Sequence, residues 1–163
     1  MYATVMAALA MVGATGPVAE RKEATNPMTT IKRLMEASPR PDPANPDKTT
    51  ASQRARLEAL VNYIEKYQAR LQSGQVQPSE FFNLLQVERD MISTGADLAP
   101  LPEEALCWQR TGLDLAKGAY KFSEVMVRNG VWPSSHRDQA AAQVELFRTE
   151  YREALSRCLL LSK

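Results

Sequence analysis

The sequence predicts an all-α fold: a four-helix bundle made of two helical hairpins, preceded by an apolar N-terminal arm and a Pro-rich strap. Three observations predict it. Four long stretches carry apolar residues at spacings of three and four. Proline and glycine fall between those stretches and not within most of them. The chain has only seven glycines and few β-branched runs, which argues against a β-rich fold. With 163 residues, it is long enough to bury a core without metals or disulfides. The expected organisation is an arm over 1–27, a short helix and linker over 28–48, and the bundle over 49–163.

Residues 1–19 (MYATVMAALAMVGATGPVA) are apolar and rich in small side chains, without a basic residue before Arg21. An uncleaved arm or docking helix and a signal-like segment both fit that pattern. Its uninterrupted apolar part is shorter than the roughly 20 residues a spanning helix needs. Residues 29–37 can form a short helix capped by Thr29 or Thr30. Pro39, Pro41, Pro43 and Pro46 then forbid a helix and favour an extended strap. Such a strap is a semi-rigid linker or a ligand for a proline-binding groove.

The first long helix is expected over 49–72, with Leu57, Leu60, Val61, Ile64 and Leu71 on one stripe and Gly74 as its stop. The second follows Gln75-Val76-Gln77, with Pro78 in its first turn and Glu80 in that turn complementing the helix dipole. Phe81, Phe82, Leu84, Leu85, Val87, Met91 and Ile92 give it a wide apolar side, and 94–97 (TGAD) is read as its end. The third runs over 102–128, opened by Pro102, Glu103 and Glu104 and stopped by Asn129-Gly130. Gly112, Ala116 and Ala119 form a small-residue seam along it. The fourth begins at Ser134 or Ser135 and carries Ala140, Val144, Phe147, Tyr151, Ala154, Cys158 and Leu161 at alternating fours and threes.

The segment 71–91 (LQSGQVQPSEFFNLLQVERDM) resembles the Pro-capped amphipathic segment of bacterial type III secretion inner-rod proteins, over about an eighth of the chain. The resemblance implies an exported assembly subunit whose activity is self-association. The long helix that follows departs from that family, which usually ends sooner.

Composition removes several chemistries. Net charge is +1 with scattered Lys and Arg, so a nucleic-acid partner is not expected. Two cysteines and one histidine cannot assemble a tetrahedral metal site by themselves, so no metal or other cofactor is expected. There is no glycine-rich phosphate loop, no Gly-x-Ser-x-Gly and no Cys-x-x-Cys. Cys107 and Cys158 fall at nearly the same height of the C-terminal hairpin. Cys158 lies on the seam, whereas Cys107 borders the polar face, so a disulfide and two reduced thiols both stay open. His136 is expected to face solvent. It lies about 30 Å from either cysteine along the helices, which rules out a Cys–His dyad within one chain. No catalytic residue is assigned.

The expected function is therefore non-enzymatic. The first expectation is a helical interaction or structural protein, an assembly or adaptor subunit of a larger bacterial complex such as a secretion-system or virion component. Its partners would be other protein subunits or further copies of itself, met through Phe81, Phe82, Trp132 and the strap prolines Pro39, Pro41 and Pro43. The apolar N-terminus offers a further partner or peripheral membrane contact, and an exported or periplasmic location is favoured over a cytoplasmic one. The second expectation is a small-molecule-binding bundle with a pocket between its second and third long helices.

Overall fold

The computed structural model describes residues 26–38, 48–72 and 77–161, except for the side chains of 48, 71–72 and 157–161. Among these residues the chain is an all-helical bundle. Its helices are α1 (Pro27–Ala37), α2 (Lys48–Gln72), α3 (Glu80–Leu98), α4 (Pro102–Arg128) and α5 (Ser134–Leu161). Residues 1–25 of the expected 1–27 arm, and Pro39, Pro41 and Pro43, lie outside the described residues, while Asn26 and Pro27 belong to the start of α1.

Helix α1 is capped three or four residues earlier than the predicted Thr29 or Thr30. Asn26 is its cap, with Oδ1 accepting from the Met28 amide at 3.0 Å, and Pro27 occupies the first turn where no amide is needed. Its far end is held from outside. Arg54 of α2 donates to the carbonyls of Ser38 (3.0 Å) and Met35 (3.3 Å), groups that the end of a helix leaves without partners. Met28 and Ile31 bury the inner side of α1.

Helix α2 packs on α3, α3 on α4, and α4 along α5; α1 lies against α4, and α3 also touches α5. Trp108, Phe81, Phe147, Ile64, Met91 and Ile92 are among the fully enclosed side chains. Burying a side chain of this kind contributes about 1.5–3 kcal/mol. Two buried threonines bond to their own helices: Thr94 Oγ1 donates to the Asp90 carbonyl (2.7 Å) and Thr111 Oγ1 to the Cys107 carbonyl (2.8 Å). Gln143 Nε2 of α5 donates to the Leu85 carbonyl of α3 at 2.7 Å.

Helix α3 does not stop at 94–97. It runs through to Leu98, because Gly95 here serves packing, not termination. A Cβ on Gly95 would sit 2.5 Å from the Trp108 ring, so the indole lies directly on the α3 backbone. Gly112 does the same on α4, where a Cβ would come within 2.7 Å of Phe147. The stop after α4 is of the expected kind. Gly130 takes φ 69°, its amide bonds the Val127 carbonyl, and the Val131 amide bonds the Met126 carbonyl. That pair of bonds is a Schellman motif.

Candidate functional site

The corner after α4 carries Trp132, which as a partner contact would have to stand exposed, as would Phe81 or Phe82. The structure corrects this. Trp132 is 5% exposed and Phe81 1%, while Phe82 is partly buried and packs against the core. The turn folds Trp132 back under α3, where its ring centroid lies 4.9 Å from Phe81 and 5.1 Å, edge-on, from Phe122. His136 is also corrected, being 5% exposed and not solvent-facing. Its ring sits 4.4 Å from Phe82 and 5.1 Å from Trp132. Its Nε2 is 2.9 Å from the Pro78 carbonyl, which only accepts, so Nε2 carries the proton and ties the start of α5 to the start of α3.

Beside this aromatic cluster is a cavity of about 240 Å³. Phe81, Leu84 and Glu88 of α3 face Leu115, Ala119 and Phe122 of α4 across it. Tyr67 and Gln68 of α2 form a third side, and Pro27 and Met28 of α1 a fourth. Its mouth is marked by the exposed residues Asn26, Asp114 and Gly118. Nothing lies within 4 Å of where a Cβ on Gly118 would be, so the space beside it is open.

Two polar groups on this largely apolar wall are buried without a partner. Glu88 is 4% exposed and Tyr67 3%, and neither Glu88 Oε2 nor the Tyr67 hydroxyl has a hydrogen-bond partner. Gln109 Oε1 and His136 Nδ1 share that condition elsewhere in the described residues. Burial pushes the Glu88 carboxyl from its ordinary 4.5 to about 8, so it is mostly protonated at neutral pH. Burial, with Glu80 and Glu88 adding to it, holds the Tyr67 phenol well above its usual range. Outside the cavity, Glu80 is ionised readily because Arg70 bonds both its oxygens (2.8 and 2.9 Å), which joins α2 to α3.

Of the residues singled out in the sequence, the structure brings Phe81 to the cavity wall and Phe82 and Trp132 to the cluster behind it. Cys107 is an exposed free thiol, and the side chain of Cys158 lies outside the described residues. Glu88 and Tyr67 escaped the sequence reading, although a signal existed. At 100° per residue Glu88 lies about 20° from Phe81 and 40° from Leu84, in the middle of the apolar stripe. Tyr67 likewise follows Ile64 by one turn. Among the described residues no cluster of His, Cys, Asp and Glu could hold a metal ion, and no helix is long and apolar enough to cross a membrane.

Comparison with known protein families, with curated proteins and with solved structures finds no match to this chain.

Proposed function

We propose that this protein binds a small, mainly apolar molecule in the cavity between α3 and α4. The observation that carries the reading is the pair of buried, unpartnered polar atoms on the cavity wall, Glu88 Oε2 and the Tyr67 hydroxyl. An unsatisfied buried polar group costs about 1–3 kcal/mol. A chain keeps two beside one apolar space where an incoming molecule can satisfy them, and convergent polar groups in such a pocket are what orient a ligand. In this reading α2–α3 and α4–α5 act as two hairpins, with the ligand at their meeting line and α1 as a side wall. The molecule is held, not transformed.

The assembly reading depends on surfaces of a different kind. The aromatics it relied on are turned inward or packed on the core, and the wide apolar side of α3 is largely used up by the bundle.

The test is a fragment screen of the full chain by thermal shift and by ¹H–¹⁵N spectra, run beside Gly118→Phe. Saturable hits are expected to raise Tm and to shift resonances of residues 67, 88 and 122. A ligand at 100 times its Kd stabilises by about 2.7 kcal/mol, enough to be seen. Gly118→Phe has room for its side chain at the cavity mouth and should lose these hits while staying folded. A screen with no saturable hit, together with concentration-dependent self-association in light scattering, would return the assembly reading.

A further inference from the structure

We infer that the cavity takes an organic monocation, a protonated primary amine on a compact aromatic or aliphatic body, with its ammonium on Glu88 and beside the Tyr67 hydroxyl. This rests on the reading of the cavity as a ligand site and adds the chemical class.

Charge gives the first argument. Among the described residues, the titratable groups that line the cavity are Glu88 from α3, Tyr67 from α2 and Asp114 from α4; α1 contributes Asn26, Pro27 and Met28, and no described Lys, Arg or His lines it. Asp114 is at the exposed mouth with Lys117 3.7 Å away, whereas Glu88 has no cationic partner. An anionic ligand would bury its charge with no cation among the described lining residues to pair it, which is costly. A cation meets the reverse.

Hydrogen bonding gives the second. An ammonium has three donors and no acceptor. Glu88 Oε2 and the Tyr67 oxygen can both accept, so one head group satisfies both orphaned atoms. The walls supply the third argument. The rings of Tyr67, Phe81 and Phe122 surround the same space, and aromatic faces attract cations within about 6 Å. Size fits as well. A cavity of 150 Å³ accommodates benzene, so one of about 240 Å³ accepts a ring with a short chain.

The proton balance follows. In the empty protein burial holds a proton on the Glu88 carboxyl. An alkylammonium has a pKa near 10.4 and keeps its own proton. Pairing ionises Glu88, and the carboxyl proton leaves to solvent, so close to one proton is released per amine bound near pH 7. Affinity for the amine then rises about tenfold from pH 6 to 7 and about fivefold from 7 to 8, levelling off above the Glu88 pKa.

Calorimetric titration of the full chain tests this with phenethylamine, its neutral isostere 2-phenylethanol and the anion 3-phenylpropionate, at pH 7 in two buffers of different ionisation heat. Phenethylamine is expected to bind about tenfold or more tighter than the alcohol, with proton release, and the anion to bind weakest. Glu88→Gln should abolish both the amine preference and the release while leaving the alcohol bound. Tyr67→Phe should weaken the amine several-fold and serves as a second variant if Glu88→Gln fails to fold. Equal binding of amine and alcohol, in the native chain and in either variant, would overturn the cation class and leave the ligand site standing. So would tightest binding by the anion. If none of the three binds and Gly118→Phe alters nothing, both readings fall together.

Discussion

Two glycines six residues apart on α4 divide the molecule into two kinds of interior. Around Gly112 the helices are as close as their backbones allow: Phe147 from α5 and Ile92 from α3 occupy the space where a Cβ would be. About 1.7 turns later, Gly118 has nothing within 4 Å of a Cβ position and borders the cavity. On the tight side, the buried hydroxyls of Thr94 and Thr111 are spent on their own helices. On the open side, Glu88 and Tyr67 are left without partners. The same helix thus carries a region optimised for packing and a region that gives up packing and hydrogen bonds together. The second condition is the one on which the proposal of a ligand site rests.

The largest effect that sharpens this contrast is on pH. The Glu88 pKa is raised from 4.5 to about 8, so between those values the folded state holds more protons than the unfolded chain. Stability contributed by the protonated carboxyl is therefore complete below about pH 4.5 and is lost as pH rises through 8. In urea unfolding, Glu88→Gln should gain on the native chain across this window, by at most about 1.4 kcal/mol per pH unit, and the difference should level off above it. A difference that stays flat with pH would mean that Glu88 is not enclosed.

A smaller effect comes from the glycines themselves. Gly112→Ala drives a methyl group into Phe147 and should cost about 1–3 kcal/mol. Gly118→Ala meets open space and should gain up to about 1 kcal/mol from helix propensity. Opposite signs in chemical denaturation are the outcome expected, and equal signs would erase the distinction between the two regions.

The smallest effect is expected at Tyr67. Its hydroxyl is unsatisfied and has no partner to lose, so Tyr67→Phe should stabilise the fold by about 1 kcal/mol, the low end of what such a group costs. A loss of 2 kcal/mol or more would reveal a hydrogen bond within the empty protein and remove the hydroxyl from the ligand's share.

The contrast also explains what the sequence made legible. Helix α4 could be read almost to the residue, because Pro102 opens it and Gly130 closes it through local backbone chemistry. The stripe of Leu57, Val61 and Ile64 on α2 was equally plain, since facing within one helix depends only on period. What failed were positions whose role is set by a second helix. Gly95 looks like a stop until Trp108 is laid across it. His136 looks like a surface residue in a first turn until the Pro78 carbonyl comes to meet it. Trp132 belongs outside until the corner folds it beneath Phe81. The pocket between the second and third long helices could be anticipated as a place, yet not its chemistry, because a glutamate amid apolar neighbours was passed over.

One wall of the cavity has a consequence for how a ligand would be sensed. Helix α1 has 11 residues, and isolated helices shorter than about 12–15 residues are marginal in water. Its helicity is therefore a product of docking, through buried Met28 and Ile31 and through the Arg54 bonds at its far end. Such a segment is cooperative: it is helical when seated and coil when not. Amide exchange across residues 27–37 would consequently act as a gauge of the whole enclosure, slowing when the space is filled and quickening when the wall is lifted.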